Sequence, residues 1–106
     1  MNIDIKATNI ELTAPLKEYI EEKIGSLDKF LKRWEMEGGI EIRVEVGRMS
    51  VHHHKGNVFR TEVNIDMPGK VLRAEDEDRD VRLTIDRVKD KLKAEIQKYK
   101  GKTDGR

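Results

Sequence analysis

Between Val81 and Arg106 nine Lys or Arg stand against four acidic residues, and their spacing is helical. Val81, Ile85, Val88, Leu92, Ile96 and Tyr99 form one apolar stripe at the α-helical period. On a wheel of 100° per residue the basic residues fall into two rows flanking that stripe. Arg87, Lys91 and Lys98 make one row, extended toward Lys102; Arg82, Lys89, Lys93 and Lys100 make the other. Over a helix of about 23 residues the rows would run for roughly 30 Å, long enough to follow several phosphates of a polyanion. Asp86, Asp90 and Glu95 dilute the field without cancelling it. The chain totals +1 and this segment +5, which leaves −4 for the rest, so a near-neutral total conceals a concentrated positive surface. Lysine carries charge without information about base edges, so such a surface would read phosphate backbone and shape. The same composition also suits a solvated helix face.

Other chemistries find less support. There is no cysteine, so disulfides, thiolate metal sites and thiol nucleophiles are excluded. In an extended segment His52 and His54 would share a face while His53 points away, too few ligands for a metal site without further donors. A hairpin-tip reading, with one of these histidines or Lys55 near a phosphate, fits them better. Neither a nucleophile elbow, a phosphate-cradling glycine loop nor a zinc-protease spacing occurs. The expectation is a protein that is not an enzyme and uses no metal, cofactor or small-molecule substrate. The aromatic residues Tyr19, Phe30, Trp34, Phe59 and Tyr99 mostly fall on apolar stripes, which argues against base stacking on an open platform.

The elements that must position the basic rows follow from periodicity. Ile3, Ile5 and Ala7 alternate with polar neighbours as a short strand. Thr13 is a plausible N-cap for a helix that tolerates Pro15 in its first turn. Leu16, Ile20, Ile24, Leu27, Leu31 and Trp34 then give one stripe, read as a single helix ending at Gly38-Gly39. Ile40 to Val46 and Phe59 to Met67 alternate as half-buried antiparallel strands, with residues 48–57 as the hairpin between them. Pro68-Gly69 marks a turn into a short fourth strand around Val71 to Ala74. The acidic stretch Glu75 to Asp80 is expected to cap the last helix and complement its dipole, and that helix to fade at Gly101.

This order is β-α-β-β-β-α, an α+β domain with a four-stranded sheet and two helices packed on one face. Residues 1–101 form the single domain and residues 102–106 a flexible tail. Lys23 is the anomaly of the first helix, because it projects between the directions of Ile20 and Tyr19, near the middle of the apolar stripe. A buried unpaired ammonium is too costly. Either its stem snorkels to the sheet edge, or it opens into the groove between the helices and joins Lys29, Arg33 and the final helix in one patch. No run approaches the roughly 20 apolar residues that span a bilayer, and the N-terminus lacks signal-peptide character. A soluble cytoplasmic protein without membrane contact is the expectation.

Several segments, taken in order, resemble the ribosome hibernation-promoting factors, also called ribosome-associated inhibitors. These are Met-Asn-Ile-Asp-Ile-Lys at the start, Leu-Thr-Ala-Pro-Leu-Lys-Glu-Tyr-Ile-Glu-Glu-Lys-Ile from Leu12 to Ile24, and His-His-Lys-Gly-Asn-Val-Phe-Arg-Thr-Glu-Val from His53 to Val63. Ile85-Asp86 and Asp90-Lys91-Leu92 within Asp80 to Lys100 continue the likeness. The resemblance implies a domain related in shape to double-stranded RNA-binding domains. It also implies that the domain sits in the decoding channel of the small ribosomal subunit, where it displaces messenger and transfer RNA and silences translation under stress. Its partners would be the small subunit and its rRNA, with the free protein a monomer. The family's basic contacts carry over to Lys23, Lys29, Lys91, Lys98 and Lys102. Arg33, Arg87, Lys93 and Lys100 complete the candidate rRNA-binding set, Lys93 standing where Leu92-Lys93-Ala94 departs from a family pattern with arginine. The resemblance further implies a short-form member or the N-terminal domain of a longer one. Two other functions fit the residues: a free double-stranded RNA-binding module, and a homodimerising interaction domain that pairs through an exposed sheet edge.

Overall fold

A computed structural model of the chain describes residues 2–49 and 58–104. Seven elements follow in order: β1 (Asn2–Thr8), α1 (Ala14–Gly25), α2 (Asp28–Gly38), β2 (Glu41–Met49), β3 (Val58–Met67), β4 (Lys70–Asp78) and α3 (Val81–Asp104). The α+β reading holds. One four-stranded sheet runs β1-β2-β3-β4, with β1 parallel to β2 and the other pairs antiparallel. Parallel pairing requires a crossover, which α1 and α2 supply, whereas the antiparallel pairs need only turns. Between β3 and β4 that turn is Pro68-Gly69, where Gly69 takes φ of +78°, a conformation glycine adopts at no steric cost.

Alternation sets the two faces of the sheet. Ile42, Val44 and Val46 of β2, Val63 and Ile65 of β3, and Leu72 and Ala74 of β4 are buried under the helices. Leu16, Ile20 and Ile24 of α1, Leu31 and Trp34 of α2, and Ile85, Val88, Leu92 and Ile96 of α3 close the core from above. Ile3, Ile5 and Ala7 are only partly buried, because β1 is an edge strand with a neighbour on one side. One polar pair lies within the core: the hydroxyls of Thr61 on β3 and Thr84 on α3 meet at 2.7 Å, and Thr84 Oγ1 also donates to the Val81 carbonyl at 2.6 Å. Both threonines are fully buried, so the pair satisfies itself while tying helix to sheet.

Three features differ from the sequence expectation. The first helix is two helices, so three rather than two cover the sheet. Thr13 does cap α1, accepting from the Leu16 N–H at 3.3 Å. At Ser26, however, the hydroxyl donates to the Lys23 carbonyl, and the Leu27 and Phe30 N–H groups reach back only three residues, to Ile24 and Leu27. The tightened turn breaks the helix without breaking its apolar stripe, since Ile24, Leu27 and Leu31 are all buried.

The acidic run is the second difference. Glu75 to Asp78 extend β4, paired opposite Glu62 to Phe59 of β3, instead of preceding the last helix. Capping falls to Asp80 alone, whose Oδ1 accepts from the N–H groups of Arg82 at 3.0 Å and Leu83 at 3.4 Å. Carboxylates are tolerated in this strand because cations lie on both of its faces. Glu75 and Glu77 point away from the helices toward Arg60, and Glu75 also meets Arg73 at 3.0 Å; Asp76 and Asp78 point toward α3. The third difference is that α3 continues through Gly101 to Asp104. No helix among the described residues is long and apolar enough to cross a membrane.

Candidate nucleic-acid interface

α1 and α2 run alongside α3 in the same direction, because contacts advance in step along both. Tyr19 meets Arg82 and Asp86, Phe30 meets Lys93, and Trp34 meets Tyr99. The seam between the helices is therefore floored by aromatic rings. Trp34 and Tyr99 pack with ring centroids 5.5 Å apart, tilted by 37°. Nearer the start of the seam the Tyr19 hydroxyl donates to Asp86 Oδ1 at 2.6 Å. That bond, with burial and the negative charge of Asp86, pushes the Tyr19 phenol up to about 12, so it stays a donor at any physiological pH.

Cations from both walls gather over these rings. Lys23 Nζ lies 5.5 Å and the Arg82 guanidinium 4.7 Å from the Tyr19 centroid. Lys29 Nζ lies 5.2 Å and Lys93 Nζ 5.3 Å from that of Phe30. The Arg33 guanidinium lies 5.5 Å from Trp34 and pairs loosely with Glu37 at 4.0 Å. Lys23 is half-buried, with its ammonium over the Tyr19 ring of its own helix. Among the described residues no carboxylate lies within ion-pair distance of Lys29 or Lys93. Two like charges from different helices around one ring, without a counter-ion of their own, attract an anion. Lys100 is exposed two turns beyond Lys93 on the same row.

The other flank of α3 meets β4. Arg87 Nη1 donates to Asp78 Oδ2 at 2.9 Å, and its Nε lies 3.9 Å from Asp76. Lys91 Nζ lies 3.9 Å from Asp76 and donates to the Glu75 carbonyl at 2.7 Å. The Asp80 N–H and then the Arg87 guanidinium hold the Asp78 carboxyl below the usual carboxylate range. Further along, Lys98 and Lys102 leave the acidic strand behind and share a shallow concavity with Lys70, Glu95 and Tyr99. The expected set thus divides: Lys23, Lys29, Arg33 and Lys93 line the helix seam, Lys100 lies exposed further along the Lys93 row, Arg87 and Lys91 are tied to the strand, and Lys98 and Lys102 crown the far end.

Sequence reasoning omitted Arg82 from its contact set although the wheel had put it on the seam row; its place over Tyr19 was the missing information. Lys70 lay outside every helical pattern. The residues His52, His53, His54 and Lys55 lie outside the described residues. Among the described residues no group of three His, Cys, Asp or Glu is placed to hold a metal ion.

Residues 3–104 match the family model described as sigma 54 modulation protein / S30EA ribosomal protein. The chain is 35% identical over 102 residues to the ribosome hibernation promotion factor of Lactococcus lactis, covering 94% of this chain and 50% of that protein. It is 30% identical over 96 residues to the factor of the same name from Deinococcus radiodurans, covering 91% and 47%. It thus spans about half the length of these curated relatives. The crystal structure of the Thermus thermophilus Protein Y N-terminal domain superposes with a TM-score of 0.73 at 28% identity, over 93% of this chain and 99% of that one. A ribosomal subunit interface protein from Coxiella burnetii shares the fold, with a TM-score of 0.75 at 20% identity over 95% and 99%. A family model that spans nearly the whole chain, and relatives that agree with it in sequence and fold, show that this protein belongs to the sigma 54 modulation protein / S30EA ribosomal protein family.

Proposed function

We propose that this domain binds the small ribosomal subunit through its rRNA, occupies the decoding channel where messenger and transfer RNA would lie, and holds ribosomes inactive in the cytoplasm. The observation that carries the reading is the pair Lys29 and Lys93, brought together over Phe30 from two helices with no carboxylate within ion-pair distance among the described residues. Family membership supplies the ribosome as the polyanion. Inhibition of this kind is occlusion, which needs charge and shape and no bond-making chemistry.

The rRNA face runs from Lys23 and Arg82 through Lys29, Lys93 and Arg33 to Lys100, and continues onto Lys98 and Lys102. From Arg82 to Lys100 it extends about 27 Å along α3 at 1.5 Å per residue. Affinity for small subunits should fall with salt, each phosphate contact adding about 0.7 to 0.9 to the log-log slope. Replacing Lys29 and Lys93 together by Glu should lower that affinity by about ten- to a hundredfold, flatten the salt dependence, and relieve inhibition of in-vitro translation while the circular dichroism spectrum is kept. Undiminished inhibition by the folded variant would overturn the reading. Equal affinity for an isolated duplex of about 16 base pairs would favour the free double-stranded RNA module. A salt-insensitive dimer that does not sediment with ribosomes would favour pairing through an open edge, β1 or β4.

A further inference from the structure

Lys70 breaks the alternation of β4. It occupies the helix-facing register, opposite buried Met67 and ahead of buried Leu72 and Ala74, where the pattern calls for an apolar residue. It is nevertheless exposed, because the strand begins here, directly after the Pro68-Gly69 turn. Its Nζ lies 6.0 Å from the centroid of the Tyr99 ring on α3, and that ring is held against Trp34 of α2. Lys98 and Lys102, one turn apart on α3, share with Lys70 a concavity of about 80 Å³ completed by Leu72, Glu95 and Tyr99. That is room for one phosphate group. Three ammonium groups from two elements stand there against one carboxylate, Glu95. Among the described residues none of the three lies within ion-pair distance of a carboxylate. Like charges gathered in this way raise one another's energy, and an anion placed among them relieves it.

We propose that Lys70 joins Lys98 and Lys102 in a seat for a single backbone phosphate of the rRNA, so that the sheet contacts RNA as well as the helices. This rests on the reading of the domain as an rRNA binder. Lys70 is the part that no helical row supplies. It approaches from the strand while Lys98 and Lys102 approach from the helix, so a phosphate in the seat is held from two sides. A row of lysines along one helix lets a backbone slide past it; convergence from two elements fixes one point of that backbone. The Tyr99 ring keeps the Lys70 ammonium in place without cancelling its charge. The far end of α3 then anchors the face that starts at Lys23 and Arg82, and the contact sets the register of the RNA rather than reading its sequence.

The test replaces Lys70 by Gln and measures binding to small subunits across a salt series. Loss of the seat should weaken binding by about three- to tenfold and lower the log-log salt slope by up to about 0.9, one phosphate's worth. Lys70→Arg keeps the charge and should bind within about twofold of the unchanged protein. Lys6 is exposed on the opposite face of the sheet, so Lys6→Gln removes the same charge away from the seat and should leave affinity and slope where they were. An equal loss from Lys6→Gln reduces the result to net charge and overturns the proposal. So does a folded Lys70→Gln protein that binds like the unchanged one, or an Arg variant as weak as the Gln variant. Should the amide disturb the turn, Lys70→Met repeats the measurement with the aliphatic stem kept over Tyr99.

Combining Lys70→Gln with Lys98→Gln tests whether both lysines address the same phosphate. In a shared seat the pair should still lower the slope by no more than about 0.9, and its cost in affinity should fall short of the product of the two single costs. A slope reduced by about twice that amount, with fully multiplicative costs, would put the lysines on separate phosphates and overturn the seat. If the Lys29 and Lys93 variants bind normally, the rRNA reading itself fails; if they bind weakly while Lys70→Gln binds normally, the seat alone fails.

Discussion

One helix, α3, carries the same residue types on both flanks, and the two flanks have different electrostatic fates. Toward α1 and α2, Lys93 meets Lys29 over an aromatic ring; toward β4, Arg87 and Lys91 meet carboxylates and a carbonyl. The difference lies wholly in the neighbour. Aromatic rings accept cations on their faces yet leave them charged and reachable, whereas a carboxylate cancels the charge to any distant partner. A count of basic residues on a helix therefore overstates its pull on a polyanion by however many of them face an acidic strand.

Four substitutions sharpen that contrast, from the largest effect to the smallest. Leu92→Ala removes a fully buried side chain of α3 that supports both flanks, so it should cost about 2 to 5 kcal/mol and weaken both alike in chemical denaturation. A variant that damaged one flank only would break the view of α3 as a rigid carrier. Tyr19→Phe deletes the hydroxyl bond to Asp86 that joins α1 to α3. A half-exposed bond to a carboxylate is worth about 1 to 2 kcal/mol. Hydrogen exchange should rise at the α1–α3 seam before it rises at the β4 flank.

Asp80→Ala removes the side-chain cap of α3, at a cost of about 1 kcal/mol. It should fray the first turn, where Arg82 stands over Tyr19, and leave Lys29 and Lys93 in place, so RNA affinity should fall only slightly. Glu62→Gln tests the outward lattice of the sheet by pH. Burial pushes the Glu62 carboxyl up, but the bonds and charges of Arg73 and Arg60 outweigh it and hold the group below its ordinary value of 4.5. Its stabilising contribution is thus fully present above that pH and fades as pH falls through the lower folded-state value. The stability gap between wild type and variant should be constant well above pH 4.5 and close as pH falls below it. A gap that widened in acid would contradict the sign.

Much of this was legible residue by residue. Alternation along Ile42, Val44, Val46 and along Thr61, Val63, Ile65 was unambiguous, because a period of two has no helical counterpart. Thr13 and Pro15 announced the start of α1. The break at Ser26 was hidden because the apolar stripe runs through it, so tertiary burial is the same for one helix or two. Glu75 to Asp78 were misread because carboxylates before a helix satisfy a capping pattern as well as a strand pattern; their partners are Arg60 on β3, Arg73 on β4 itself, and Arg87 and Lys91 on α3. Arg82 was visible on the wheel but gained significance only when Tyr19 arrived beneath it.

Apart from the break at Ser26 and the acidic end of β4, local sequence decided which residues form strands and helices, which stripe of each is buried, and that α3 carries basic rows on either side, since periodicity and charge are properties of neighbours along the chain. Tertiary structure alone decided which cations meet carboxylates, Arg87 and Lys91, and which meet aromatic rings, Lys29 and Lys93. That outcome depends on the distance from each ammonium or guanidinium to an oxygen on a different element, 9 to 16 residues away for Arg87 and Lys91, and Coulomb energy is set by separation in space rather than by position in the chain.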